Sequence, residues 1–409
     1  MKIISFIIPM LSLMLLLSQS VTAQQRTGPD EVLRIALENN QELKTARLNI
    51  QKENAITGKA FNIPRPQLFT EYEGVKGSLS NFESRKFGIT QELEFPTNYF
   101  LRSDVQSSQI LIAEEEYNVS VNHLKAELKT IYYNLLLQNK LLETAKDILK
   151  IYDDFYVVAQ KKYDAGESSN LEVLGAKLNR IKIENQIKNT ESEIRSLQSE
   201  LKKLMNVTYD IETSEETGFK EYTFSKTNLL TRAMSDNPSM KIIRYRKDKF
   251  SNQLSLSRGE LLPNISLSYY RQKIGNDNGF YGVELALGIP VWFWGEQSAN
   301  IKGADYDLQI ASSEEVSLRR SLENELNRSF EEYENSMRQL KFFRDEAVSE
   351  SDEVFRQSKI SYEEGAIGYV EYLQALTIVY DVRTQYLTSI YNYNKSLINL
   401  EEIIAGEVK

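Results

Sequence analysis

Apolar residues recur every three or four positions along most of the chain, and this spacing predicts long helices. From Tyr117 to Tyr163 the steps alternate between four and three without a slip, and Gln138 is the only polar member of the series. Such a heptad seam is typical of helices that supercoil around one another. Gly166 ends the run, and a second seam that finishes at Leu204 predicts a helix returning beside the first.

Between the helical segments, apolar and polar residues alternate with a period of two, which predicts strands with one apolar face. The clearest example runs from Tyr281 to Ile289, with apolar side chains at every odd position and Gly, Glu or Ala between them. Strands are predicted at about residues 66–76, 85–96, 263–274 and 280–291. The fold class is therefore mostly α, with long antiparallel coiled coils and four β-strands in each chain.

The chain contains an internal duplication. Residues 36–72 match residues 233–269 at a constant offset of 197, so that Asn40 corresponds to Asn237. A repeat of this length is far longer than a solenoid unit of about 20–50 residues, which favours one structural module used twice. The predicted organisation is a signal peptide over 1–23, a first repeat over 24–205, a linker over 206–227 and a second repeat over 228–409.

The beginning of the chain has the pattern of a secretory signal peptide. Lys2 is followed by a mostly apolar run from Ile3 to Leu17, and small residues precede a predicted cleavage site at Gln24. Beyond this leader, no apolar stretch is long enough to span a bilayer as a helix. If the mature protein enters a membrane, we expect it to do so as strands.

Composition argues against several functional classes. The formal net charge is -9, whereas nucleic-acid binding requires basic patches. There is no cysteine and the only histidine is His123, so neither a Ser/His/Asp triad nor a Cys/His metal site is credible. Acidic clusters such as Glu114–Glu116 fit solvated helix faces better than a catalytic pair of carboxylates. We therefore expect no enzymatic activity, no cofactor and no tightly bound metal.

Four strands are too few to close a membrane barrel, because the smallest outer-membrane barrels have about eight. Two chains would supply eight strands and three chains twelve. Aromatic residues at strand ends are typical of the membrane interface, and the candidates are Trp292, Phe293, Trp294, Tyr99 and Phe100. The alternatives are that these rings belong to an ordinary core and that the strands form a small soluble sandwich.

The order of these elements resembles the TolC outer-membrane factor family over essentially the whole mature chain. The motifs that carry the resemblance are Asn-Asn-Gln-Glu-Leu at 39–43, Leu-Leu-Pro-Asn-Ile-Ser-Leu at 261–267, Gly-Ile-Pro-Val-Trp-Phe-Trp at 288–294, and the Tyr-x-x-Gly sequences at 163–166 and 362–365. The strand ending bounded by proline is most similar to the metal-cation (CzcC/CusC-like) branch. Many members carry a lipidated cysteine after the leader, which this sequence lacks.

The resemblance implies a homotrimer with a twelve-stranded barrel in outer-membrane lipid and a helical tunnel that extends into the periplasm. It also implies two partners, a periplasmic adaptor (membrane fusion protein) and an inner-membrane pump of the RND type. The hairpin tips would contact the adaptor, through Ala165, Gly166, Glu167, Gly365, Ala366 and Ile367. Glu371, Gln374 and Glu172 would lie at the periplasmic constriction, where Gln374 replaces the carboxylate that relatives carry.

The predicted function is thus a passive exit duct of a tripartite efflux system for metal cations or small toxic compounds. Two alternatives are a soluble periplasmic coiled-coil adaptor or scaffold, and an exit duct for type I protein secretion. A soluble adaptor or scaffold would not need two tandem hairpins together with four strands that have apolar faces.

Overall fold

A computed structural model describes residues 27–78, 82–214 and 221–408, so the predicted signal peptide lies outside the described residues. The helices are α1 (Pro29–Asn39), α2 (Gln41–Ala55), α3 (Pro96–Asp164), α4 (Asn170–Met205), α5 (Lys226–Asp236), α6 (Pro238–Gly259), α7 (Glu296–Phe342), α8 (Val348–Glu363) and α9 (Tyr369–Ile404). The strands are β1 (Gln67–Glu73), β2 (Ser84–Leu93), β3 (Asn264–Ile274) and β4 (Asp277–Gly288). The predicted fold class, mostly α with four strands, is confirmed at this level.

Helix bounds follow from local chemistry. Asn40 and Asn237, the matched residues of the two predicted repeats, cap α2 and α6, and each side chain accepts hydrogen bonds from two backbone N–H groups of the following turn. The sequence predicts that the second strand extends to Pro96, but this residue instead opens α3. Proline suits a first helical turn, because it lacks an N–H that this turn leaves unpaired anyway. One π-helical turn, Phe343–Ala347, separates α7 from α8.

The four strands form one antiparallel sheet in the order β1-β2-β3-β4, so β2 pairs with β3 across the two predicted repeats. The β3–β4 connection is tighter than the five-residue loop expected from the sequence. Only Gly275 and Asn276 separate the strands, and Gly275 adopts a φ of +58° that suits a two-residue turn. β4 therefore begins earlier than expected, and it ends before Pro290.

The two faces of the sheet differ in character. One face is apolar over much of its area and exposed, with Leu267, Val283, Leu285 and Leu287 each at least 48% accessible. The other face is polar, and there Thr90 bonds Ser268 across 2.9 Å. Gln91 is a polar residue on the apolar face, where it pairs with Leu267, and its amide donates to Pro64 O at 2.8 Å. The strand pattern thus predicts which surface of the sheet is apolar.

The described residues group into two compact units. The first comes from residues 27–39, 128–214 and 340–391, and the second from residues 40–78, 82–127, 221–339 and 392–408. Each unit draws on both predicted repeats and has its own apolar core. In the first, buried Leu376 packs with Ala145, Ile148, Tyr152 and Ile183. In the second, Met240 and Ile243 of α6 pack against Leu322 of α7.

Candidate functional site

The first unit contains both predicted hairpin tips, the turn from α3 to α4 and the turn from α8 to α9. Each tip reverses the chain through a glycine in the left-handed region, Gly166 with φ +77° and Gly365 with φ +74°. Residues with a side chain rarely adopt this conformation, since the Cβ approaches the following carbonyl oxygen. The Tyr-x-x-Gly pattern therefore predicts both turns for a stereochemical reason.

The two tips share one hydrogen-bond pattern. At the first, Gly166 N donates to Tyr163 O at 2.9 Å and Glu167 N donates to Lys162 O at 2.8 Å. At the second, Gly365 N donates to Tyr362 O at 3.2 Å and Ala366 N donates to Ser361 O at 2.7 Å. This pair of bonds is the Schellman ending of a helix. The tips of the two predicted repeats thus form equivalent backbone hydrogen bonds.

The tip residues differ in exposure. Ala165, Gly166, Glu167, Gly365 and Ala366 are all exposed. A Cβ added at either glycine would meet no atom within 4 Å. Ile367, the sixth predicted docking residue, is half-buried against the core beneath the tips. Ile367 is therefore only partly accessible to a partner, whereas the other five residues present backbone atoms, two alanine methyl groups and one carboxylate.

An aromatic cluster joins the two hairpins directly below their tips. Its buried members include Phe155 of α3, Val173 and Ala176 of α4, and Tyr372 of α9. Phe155 stacks on Tyr369 with ring centres 4.9 Å apart, and Tyr362 stacks on Tyr372 at the same spacing. Stacked rings add about 0.5–1.5 kcal/mol to the apolar burial of each pair. The cluster thus holds the tips of both hairpins in a defined arrangement.

Tyr369 occupies an unusual position in this cluster. Its hydroxyl oxygen is buried and makes no hydrogen bond of good geometry within the described part of the chain, although the Asn179 side chain lies close enough to lower its pKa slightly. A Cβ built on Gly175 would lie 2.6 Å from that oxygen. Burial raises the pKa of Tyr369 to about 12, and the nearby Glu172 carboxylate adds to the shift. The phenol therefore stays neutral at physiological pH and fits where α4 has no side chain.

Of the predicted constriction residues, Glu172 and Glu371 lie in the first turns of α4 and α9, and Gln374 lies in the second turn of α9. Glu371 and Gln374 are exposed on one face of α9, since they are three residues apart. The Glu371 carboxylate folds back over the turn, and a Cβ at Gly368 would lie 2.8 Å from its Oε2. Glu172 is half-buried beside Tyr369. A carboxylate in the first turn also interacts favourably with the helix dipole.

The predicted interface aromatics belong to the second unit. Trp292, Phe293 and Trp294 follow β4 and contact one another, with ring centres 5.2 Å and 5.4 Å apart for the pairs that include Trp294. All three are more than half exposed. After β2, Phe100 lies edge-on to Phe61 at 6.0 Å, and the Tyr99 hydroxyl accepts a bond from Glu94 N. Both groups lie where a strand returns to a helix.

Sequence reasoning missed the aromatic cluster below the tips. The sequence singles out Tyr362 only as part of the Tyr-x-x-Gly turn, and it gives Phe155, Tyr369 and Tyr372 no role. A signal existed in the second repeat, where tyrosines recur at 362, 369 and 372 on either side of the turn. The contact of Tyr369 with Gly175 of the first repeat had no sequence signal, because nothing local links the two positions.

Two further observations concern metal binding and membrane-spanning helices. Among residues 27–78, 82–214 and 221–408, no group of three or more His, Cys, Asp or Glu side chains is placed to hold a metal ion. In the same part of the chain, no helix combines the length and the apolar composition needed to cross a membrane.

Comparison with known proteins gives a consistent result. The family model for outer membrane efflux proteins matches residues 32–207 and again residues 229–406. The probable outer membrane lipoprotein SilC of Salmonella typhimurium is 22% identical, over 91% of this chain and 84% of its own length. The cation efflux system protein CusC of Escherichia coli K12 is also 22% identical, over 91% of this chain and 85% of its own.

A solved structure agrees in fold. The crystal structure of CusC superposes with a TM-score of 0.77 at 18% identity, covering 94% of this chain and 96% of that one. Two matches of one family model, which together span most of the sequence, identify the chain: it belongs to the outer membrane efflux protein family.

Proposed function

We propose that this outer membrane efflux protein assembles as a homotrimer and forms the exit duct of a tripartite efflux system for metal cations. Cations would pass from an inner-membrane pump of the RND type and a periplasmic adaptor to the outside, with no catalysis by the duct itself. The observation that carries the proposal is a sheet with one exposed apolar face and two open edges. The choice of cargo rests on relatives that are named for cation efflux.

The sheet supports closure between copies of the chain. β1 and β4 are the edge strands, and each has a row of backbone groups without a neighbouring strand in its own sheet. Exposed edges of this kind favour pairing with another chain. Three copies would join β4 of one protomer to β1 of the next and give a barrel of twelve strands. Its apolar face would contact lipid and its polar face would line the lumen.

The first unit supports association along the helices. Four apolar residues of α4, spaced three or four apart, are between 47% and 77% exposed: Leu171, Leu174, Leu178 and Ile181. A stripe with this spacing is suited to coiled-coil packing. In the proposed trimer it would pack against a helix of the neighbouring protomer and build the wall of the periplasmic tunnel.

We assign the tips and the first turns of α4 and α9 to docking and gating. The exposed turns around Gly166 and Gly365 would contact the adaptor. Glu371 would form a ring of three carboxylates at the narrow end of the tunnel, with Gln374 and Glu172 beside it. Unit charges about 4 Å apart repel by roughly 1 kcal/mol in water and more where solvent is restricted. A ring of this kind would favour entry of cations.

Residues 24–205 and 228–409 would be two copies of one module, joined by a linker over 206–227, after removal of a leader over 1–23. The aromatic residues after β2 and β4 would lie at the periplasmic membrane–water interface of the outer membrane. Matched caps at Asn40 and Asn237 and matched turns at Gly166 and Gly365 support the duplication.

Native mass in detergent and metal sensitivity test the proposal together. The full chain should appear only in the membrane fraction and should have a native mass of three chains. A strain without the gene should become sensitive to copper, silver or zinc salts, and plasmid-borne wild-type protein should restore growth. A soluble monomer would exclude the duct and support the alternative of a periplasmic scaffold. Sensitivity to drugs alone, or loss of a secreted protein, would reject the cation assignment and leave the duct intact.

A further inference from the structure

Three basic side chains converge at the loop end of the apolar sheet face. Arg85 of β2 pairs directly with Lys273 of β3, and Phe87 pairs with Arg271. Residues two apart on a strand, and partners across strands, share a face. Arg85, Arg271 and Lys273, here called the basic patch, therefore lie on the same surface as Phe87, Ile89 and Tyr269, and they border a groove of about 620 Å³.

The basic patch has no protein counter-charge. Within the described residues, none of its three members forms an ion pair, and Arg271 only covers the Tyr281 ring at 5.3 Å. Lys86, the next residue after Arg85, points to the opposite face and pairs with both Glu71 and Glu73, at 3.2 Å and 2.8 Å. The sheet thus neutralises the cation on its polar face and leaves three cations together on its apolar face.

The repulsion among the three cations of the basic patch is unfavourable unless an anion compensates for it. Like charges directly opposite each other on antiparallel strands destabilise the pair, and Arg85 stands directly opposite Lys273. An anion between them would remove that repulsion. Because the surface that continues toward the helices is apolar, the complementary ligand has an anionic head and hydrocarbon tails.

The length of the apolar face is slightly less than the thickness of the apolar band of an outer-membrane barrel. On β3, the apolar face runs from Ile265, at the end of the strand nearest the helices, to Lys273, at the loop end. These two residues are about 27 Å apart at roughly 3.4 Å per residue. With a strand tilt of about 40°, this is about 20 Å along the membrane normal, against an apolar band of about 25 Å in outer-membrane barrels. The basic patch therefore lies at the headgroup level on the side away from the helices.

We propose that Arg85, Arg271 and Lys273 form a binding site for the anionic phosphate headgroups of lipids in the outer leaflet. The inference rests on the proposed insertion of the sheet as a barrel. Two arginines suit phosphate, because the guanidinium donates two parallel hydrogen bonds. Bound lipid would fix the depth and tilt of the barrel in the membrane.

The experiment uses full-length protein reconstituted into phosphatidylcholine vesicles that contain spin-labelled phosphatidylglycerol or phosphatidylcholine. Wild-type protein should prefer the anionic label about fivefold or more at low salt, and the preference should fall at high salt. Arg85→Gln should reduce it severalfold, and Arg85→Gln/Arg271→Gln/Lys273→Gln should abolish it. Lys86→Gln is the matched control, since the adjacent residue loses the same charge on the opposite face and should leave the preference intact.

The other outcomes are decisive. A triple variant that inserts but keeps the wild-type preference overturns the lipid site alone. A wild-type protein that fails to insert into any vesicle overturns both the site and the proposed barrel. If inorganic phosphate at millimolar concentration removes the preference as well as the triple substitution does, the patch is a free-anion site and the lipid assignment is wrong.

Discussion

The hydroxyl of Tyr369 fills the space that a side chain at Gly175 would occupy. A Cβ at position 175 would lie 2.6 Å from the Tyr369 oxygen but 3.4 Å from the nearest ring carbons. Only the hydroxyl oxygen of Tyr369 lies too close to admit a side chain at position 175, whereas the ring carbons would be at an ordinary van der Waals distance. Because that oxygen is buried and makes no hydrogen bond of good geometry among the described residues, the contact can be tested by adding and removing single groups.

We expect Gly175→Ala to destabilise the protein by about 1–3 kcal/mol, the usual cost of overpacking. Tyr369→Phe should be neutral or slightly stabilising, since an unpaired buried hydroxyl is costly. The double variant should recover most of the loss caused by Gly175→Ala, because the close contact is with the oxygen. Thermal unfolding of the detergent-solubilised protein measures all three. Equal losses in the single and double variants would show that the hydroxyl does not set the fit.

The raised pKa of Tyr369 predicts an alkaline effect on stability. Its pKa is about 12 in the folded protein and about 10 in an unfolded chain. The unfolded state then loses this proton first, so the associated stability is fully present below pH 10 and is lost as the pH rises to 12. Melting temperatures between pH 9 and pH 12 should fall more steeply for wild-type protein than for Tyr369→Phe. Parallel curves would contradict the burial of this phenol.

Substitutions at Gly365 should separate tip geometry from folding. Gly365→Val forces a branched residue to φ +74°, which costs at least about 1–2 kcal/mol locally. The new Cβ meets no neighbour within 4 Å, so the turn should deform while the trimer still forms. We expect weaker cross-linking to the adaptor. Gly365→Asn is the matched control, because asparagine tolerates the left-handed region. Unchanged cross-linking in the valine variant would argue against docking at the tips.

Glu371 should control ion selectivity if it lines the constriction. Glu371→Gln removes a carboxylate from the proposed ring and should lower cation selectivity and relieve block by divalent ions. Glu371→Lys should reverse the preference, and Gln374→Glu should strengthen it by adding a second ring. Single-channel conductance in planar bilayers measures each effect. Glu364→Gln, at an exposed position in the tip turn, is the control. Identical selectivity in all variants would place Glu371 on a solvated helix face.

Local patterns predicted much of the fold because each depends on neighbours in sequence. The heptad seam from Tyr117 to Tyr163 lies within α3. The alternation from Tyr281 onward marks the apolar face of β4, although β4 ends before Ile289. Gly166 and Gly365 were singled out because a left-handed residue ends a helix, and both adopt that conformation. Side-chain periodicity and backbone stereochemistry suffice for such features.

Contacts between distant segments were decided only by the tertiary structure. The sequence does not indicate that Tyr369 rests on Gly175, nor that Arg85 stands opposite Lys273. The second pairing requires β2 of one repeat to bond β3 of the other, in a register that one residue of slip would reverse. Periodicity specifies which face of an element is apolar, but which faces meet, and at what offset, depends on packing over the whole chain.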